Sequence, residues 1–260
     1  MNFLRGVFLC LLAGLTPLAL VSCSGGGTSA SLASGSDAMT VAYTNPLNSP
    51  LGYGSPSYRV SPQQMYRQAR VEKDFIRLGT HSRKDPHSMR PRYITIHSTQ
   101  NYSPSADARR HALALKNGKI RARKRAGVNR TGHLYWHYSV DQDICVQHIP
   151  DTEQGEHADF EGPGNHYSIG IEMCENRGNS RAKTVDRTAK LTAYLMWKYD
   201  IPVQHVVPHY HWPRHGLSKP HKNCPHYLLD GGKPGAKWKW FQDKVSTYHR
   251  SIAGPQAPVL

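Results

Sequence analysis

Short β-branched runs alternate with stretches of helical spacing along this 260-residue chain, and that alternation limits its fold more than any other feature. Tyr93-Ile94-Thr95-Ile96, with Pro91 just upstream, reads as a buried strand. Ser168-Ile169-Gly170-Ile171-Glu172-Met173 reads as another. Between them, His137-Tyr138-Ser139-Val140 and Cys145-Val146-Gln147-His148-Ile149 flank Asp141-Gln142-Asp143, the pattern of a β-hairpin. Residues 203–207 give a further short strand. Helical spacing marks residues 64–75, 106–115 and 186–199. In the last of these, Leu191, Leu195 and Tyr199 share a face and Pro202 lies just past the end. Trp238, Phe241, Val245 and Tyr248 step by three and four, so the chain closes with an amphipathic helix. The expectation is an α/β fold: a single domain with a central mixed β-sheet flanked by helices.

The first residues follow a different rule. Arg5 precedes an apolar stretch from Val7 to Leu15 that is too short to span a membrane, and small residues follow, so residues 1–22 read as an export signal. Leu20-Val21-Ser22-Cys23 resembles a bacterial lipobox. That resemblance implies a lipidated Cys23 and a membrane-anchored lipoprotein of the bacterial cell envelope, at the outer membrane if the cell is Gram-negative, since Ser24 follows the cysteine. Residues 23–60, rich in Ser, Gly, Pro and Asn, read as a flexible tether, residues 61–252 as the domain and residues 253–260 as a tail. Of the five cysteines, Cys10 falls in the leader and Cys23 at the acyl site, which leaves Cys145, Cys174 and Cys224. An odd number in an oxidising compartment leaves at least one thiol with a task other than a disulfide.

Charge narrows the partners. Lys and Arg number 33 against 18 Asp and Glu, a formal net charge of +15, so polyanions attract this chain. Seven of the cations lie in residues 116–130, a segment without an acid. It reads either as a solvated loop or as a patch for anionic wall polymer, lipopolysaccharide or phospholipid headgroups. Nucleic acid is not expected as a physiological partner: export separates the protein from it, and no ribonucleoprotein motif or recognition helix is present. A monomer is expected.

Chemistry concentrates near strand ends. His97 follows the first strand run, His209 follows residues 203–207, and Cys224 lies in Lys222-Asn223-Cys224-Pro225. Two histidines and one cysteine supply three metal ligands and leave a fourth position for water, the catalytic rather than the closed structural arrangement of zinc. His209 is favoured because it directly follows the strand, while His211, His215 and His221 stand nearby as alternatives.

Six segments together resemble the zinc-dependent N-acetylmuramoyl-L-alanine amidases, the family of the type-2 amidase domain, phage endolysins and the peptidoglycan recognition proteins. They are YITIHST at residues 93–99, HYSVD at 137–141, Glu156-His157-Ala158, SIGIEMCEN at 168–176, residues 201–212, and KNCP at 222–225. The likeness covers roughly residues 64–249 in order, so the domain is identified as amidase-2 and peptidoglycan-recognition-like. It implies His97, His209 and Cys224 as ligands of one Zn2+, Glu172 as general base and Lys222 as the group that stabilises the oxyanion. It implies His157 as a cleft residue near bound muropeptide and places Trp136 at the cleft, where some relatives carry a catalytic Tyr. The stretch between His209 and Cys224 is longer than the family's usual interval. The expected activity is cleavage of the amide between N-acetylmuramic acid and the L-alanine of the stem peptide, with peptidoglycan or muropeptides as substrate. The competing expectation is a non-catalytic peptidoglycan-binding envelope lipoprotein of the same fold.

Overall fold

The computed structural model describes residues 59–122, 131–214 and 216–253. The expected leader, Cys23 and tether up to residue 58, much of the basic segment (residues 123–130), His215 and the tail from residue 254 lie outside the described residues.

Six strands form one mixed sheet: β1 Val71–Lys73, β2 Tyr93–Ser98, β3 Tyr138–Val140, β4 Cys145–Gln147, β5 Ser168–Met173 and β6 Val206–Pro208, in the order β1-β4-β3-β5-β2-β6. Every neighbouring pair is parallel except the β3–β4 hairpin. Among the described residues five α-helices accompany it: α1 Pro62–Ala69, α2 Ala108–Lys116, α3 Pro163–Tyr167, α4 Arg181–Tyr199 and α5 Ala236–Ser251.

The two longest strands, β2 and β5, are neighbours and carry strict alternation. Ile94 and Ile96 of β2, with Ile169, Ile171 and Met173 of β5, enter the main core beneath α4 and α5, where they meet Val185, Ala189, Leu195, Phe241 and Val245. Burying each such side chain contributes ~1.5–3 kcal/mol. The intervening residues, Thr95 and His97 on β2 and Ser168, Gly170 and Glu172 on β5, are small or polar and supply the opposite face, because successive strand side chains point to opposite sides. The Thr95 hydroxyl pairs with that of Ser168, and Trp212 Nε1 donates to Thr95 Oγ1 at 2.8 Å. α2 covers the hairpin, packing Ala108 and Ala112 against Ile144, Val146 and Cys174.

Local structure departs from the sequence expectation in three places. The helix expected over residues 64–75 ends at Ala69, because Arg70 adopts a left-handed conformation (φ 55°) and Val71 onward pairs with β4 as an edge strand. Its start is set by a reciprocal cap: Ser61 Oγ accepts from Gln64 N, and the Gln64 side chain accepts from Ser61 N. The strand expected over residues 203–207 is shorter. Residues 203–205 make a tight turn after Pro202, and the strand runs from Val206 to Pro208. α4 begins earlier than expected, where Ser180 caps it.

Candidate active site

Parallel pairing of β2 with β5 puts His97 directly opposite Glu172, and β3 places Ser139 opposite Glu172 on its other side. β6 lies on the far side of β2 and ends at Pro208, so the tight turn His209–His211 that follows delivers His209 beside His97. Their ring centroids are 4.5 Å apart, with the ring planes inclined at 67°. Cys224 returns from the loop after this turn. The Ser98 N–H, at the end of β2, donates to Cys224 Sγ at 3.3 Å. One ligand atom from each of His97, His209 and Cys224 falls within 4.8 Å of the others, and all three residues are buried.

The donor set fits a borderline-soft divalent cation: two imidazole nitrogens and one sulfur suit zinc geometry and leave room for a further ligand. His209 Nε2 donates to the Ala158 carbonyl at 3.0 Å, which leaves Nδ1 as the nitrogen available to a metal. Burial keeps the three ligands neutral without a cation. It pushes His97 well below its ordinary value, helped by His209, His157 and Lys222, and it pushes His209 down to about 3, helped by His221. It also pushes the Cys224 thiol up, with the Glu172 charge adding to the effect.

Glu172 is the carboxylate of the site. Its side chain is 14 % exposed, and Oε1 lies 3.8 Å from His97 Nδ1. Oε2 is buried and has no hydrogen-bond partner. Burial, reinforced by Glu175 and opposed by Lys222, raises its pKa to about 8. Lys222 is exposed on the cleft wall, near enough for its charge to act on His97, His209, Cys224 and Glu172.

These groups floor an open cleft of about 850 Å³. Trp136 and His157 both line it, yet each has a polar ring atom committed within the protein. Trp136 Nε1 donates to Ser139 Oγ at 2.9 Å, and the His157 ring bonds to His97 and to the Ser168 carbonyl. Arg121, from the described start of the basic segment, also lines the cleft, whereas Lys116 pairs with Asp74 at its base. His211 turns away: it is exposed and packs against Trp212 and Tyr93. His221 stays at the wall, its ring 5.4 Å from that of His209.

Sequence reasoning passed over Glu175, Ser98 and His226. Glu175 accepts from Gln100 N, lies 3.4 Å from His226 Nε2 and adds to the charge environment of Glu172. His226 Nδ1 is 3.3 Å from Ser98 Oγ. Glu175 stands three residues beyond Glu172 and His226 two beyond Cys224, a proximity along the chain that was the only available signal. Asn165 carried none: its role is to bind the backbone of residues 157 and 158.

Comparison with known proteins gives a consistent picture. The profile of a family described as N-acetylmuramoyl-L-alanine amidase matches residues 87–227. The chain is 35% identical over 179 residues to N-acetylmuramoyl-L-alanine amidase CwlH of Bacillus subtilis (strain 168), spanning 68% of this chain and 61% of that one. It is 38% identical over 161 residues to N-acetylmuramoyl-L-alanine amidase XlyA of the same organism, spanning 62% of this chain and 48% of that one. The match therefore spans about half to three-fifths of the length of these curated relatives. The solved catalytic domain of XlyA superposes with a TM-score of 0.55 at 37% identity, covering 68% of this chain and 99% of that domain.

Proposed function

The chain belongs to the N-acetylmuramoyl-L-alanine amidase family, and from that premise we propose that it is a zinc-dependent peptidoglycan hydrolase, cleaving the amide between N-acetylmuramic acid and the L-alanine of the stem peptide. The observation that carries this reading is the convergence of buried His97, His209 and Cys224 beside Glu172 at the floor of an open cleft. A pure recognition module has no need to bury three metal-ligating side chains next to a carboxylate whose Oε2 is left unsatisfied.

His97, His209 and Cys224 would hold the zinc, which when bound would supply Lewis acidity and a water acidified to a pKa of about 7. Glu172 takes the proton of the attacking water and hands it to the departing amine of L-alanine. Burial raises the Glu172 carboxyl in the metal-free protein, and a cation held beside it would draw it back toward neutrality, the range in which one carboxylate can both accept and return a proton. Lys222 holds positive charge at the cleft wall where the tetrahedral intermediate becomes anionic. The open cleft admits a polymer-borne peptide, and Arg121 at its wall favours an anionic one.

Export and lipidation at Cys23 belong to the same proposal. They rest on the apolar leader and the Leu20–Cys23 pattern, and they would hold the domain at a membrane facing the wall. Incubating residues 24–260 with purified sacculi, with and without a zinc chelator, tests the activity. Peptides beginning with L-alanine, identified by mass spectrometry, should appear, vanish on chelation and return with zinc. Binding to sacculi without any release, with zinc present, would replace the enzyme with the non-catalytic recognition reading.

A further inference from the structure

His157 faces the cleft, but its ring is occupied behind His97. Its Nε2 lies 3.1 Å from the Ser168 carbonyl, which accepts only, so that nitrogen carries a proton. A second proton on Nδ1 would make a buried, unpaired cation of a residue that is 8% exposed. Nδ1 is therefore an acceptor, and it stands 3.0 Å from His97 Nε2. One proton lies on that axis, and it belongs to His97 Nε2. His97 is left with a bare Nδ1, the nitrogen on the Glu172 side. The next residue does the same for the other histidine: the Ala158 carbonyl accepts from His209 Nε2 at 3.0 Å, leaving its Nδ1 bare.

Two consecutive residues thus fix both imidazoles, and the surroundings hold those two residues in place. The His157 ring sits in a slot between two glycines. A Cβ on Gly155 would come within 2.6 Å of the ring, and one on Gly170 within 2.8 Å. Asn165 Oδ1 accepts from the backbone N–H groups of His157 and Ala158 at 2.9 and 2.8 Å, and Asn165 Nδ2 donates to the Phe160 carbonyl at 2.6 Å. The slot explains why the IGIE strand carries glycine at position 170.

We propose that His157 and the Ala158 carbonyl, clamped by Asn165, form an outer-sphere cradle that holds His97 and His209 as Nε2–H tautomers with both Nδ1 lone pairs free for the metal. His157 is then a positioning residue for zinc rather than a contact for muropeptide. The proposal rests on the zinc reading. Losing such a partner costs about 10–100-fold in metal affinity.

The test combines histidine 15N NMR of the metal-free protein with Zn2+ affinity measured against a competing chelator. In the wild type, His97 and His209 should both carry the proton on Nε2. His157→Phe removes the acceptor at similar size and should weaken zinc about 10–100-fold while His97 loses its tautomer preference. His157→Asn keeps an acceptor at the Nδ1 position and should restore affinity to within a few-fold. A substrate-contact role would instead raise KM and leave zinc affinity and the His97 tautomer unchanged. Wild-type protein that binds no zinc would refute the zinc reading itself. Wild-type protein that binds zinc but carries the His97 proton on Nδ1 in the metal-free state would refute the cradle, as would His157→Phe with wild-type affinity. If His157→Phe fails to fold, the wild-type tautomers decide alone.

Discussion

Glu172→Gln should make the metal-free protein more stable while nearly abolishing turnover, and the two effects have one cause. Burial and Glu175 raise the carboxyl from an ordinary 4.5 to about 8. A carboxyl with a raised folded-state pKa contributes full stability below its unfolded value and loses it as pH climbs toward the folded value. Each pH unit in that window costs the folded state up to ~1.4 kcal/mol, which comes to about 3 kcal/mol at pH 7. Glutamine removes the charge but brings an amide N–H2 to a place where Oε2 already has no partner, an offset of ~1 kcal/mol. The net expectation is a gain of about 2 kcal/mol at pH 7, measured by urea unfolding of chelator-treated protein, with the gain vanishing at about pH 5, where the carboxyl's remaining cost equals the amide's. In the zinc-loaded enzyme the cation draws the carboxyl down and the stability difference should shrink. Loss of the proton relay should lower kcat ~10²–10⁴-fold with zinc content unchanged. Two results would refute the reasoning. Turnover within tenfold of wild type removes Glu172 from proton transfer. A metal-free variant less stable than wild type at pH 7 means that the carboxylate is satisfied by groups other than those described.

Three further outcomes follow from named contacts. Cys224→Ser exchanges the sulfur ligand for a hydroxyl of weak zinc affinity and should reduce zinc binding by more than ~100-fold in chelator competition; full occupancy would require a different third ligand. Lys222→Met should lower kcat ~10²–10³-fold with little change in zinc content or melting temperature, because the side chain is exposed and its charge acts on the intermediate. Asp151→Asn should cost ~3–5 kcal/mol in urea unfolding, because the buried carboxylate accepts from Tyr138 Oη at 2.5 Å, Gln147 Nε2 at 2.9 Å, Tyr199 Oη at 2.8 Å and Lys198 Nζ at 2.9 Å. A loss under 1 kcal/mol would mean that the four donors find other partners.

The sequence carried most of the site because its strongest signal, alternation along two strands, is also what builds the site. In Tyr93–Ser98 and Ser168–Met173 the isoleucines mark the core face, so His97 and Glu172 must share the opposite one. Parallel pairing in register then leaves them neighbours. His209 was separated from its neighbours by position alone: it opens the turn directly after β6, whereas His211, two residues on, points out toward Tyr93 and Trp212. Boundaries set by single backbone conformations were not legible. Nothing in the residue type of Arg70 announces a left-handed turn that converts the end of an expected helix into an edge strand.

What stayed hidden most completely was the difference between lining a cleft and serving it. The segment Glu156-His157-Ala158 carries a histidine facing the cavity, and from sequence that is indistinguishable from a substrate contact. The distinction lies in which ring nitrogen meets which carbonyl, and the carbonyls belong to Ser168 and Ala158, whose side chains say nothing about it. Backbone acceptors leave no trace in residue identity. The nearest trace is indirect: a ring that must sit flush against the sheet excludes a Cβ from its neighbours, so the hidden partner shows itself as glycine at positions 155 and 170. Gly170 therefore reports on the His97 tautomer through His157, by leaving the room in which that ring lies.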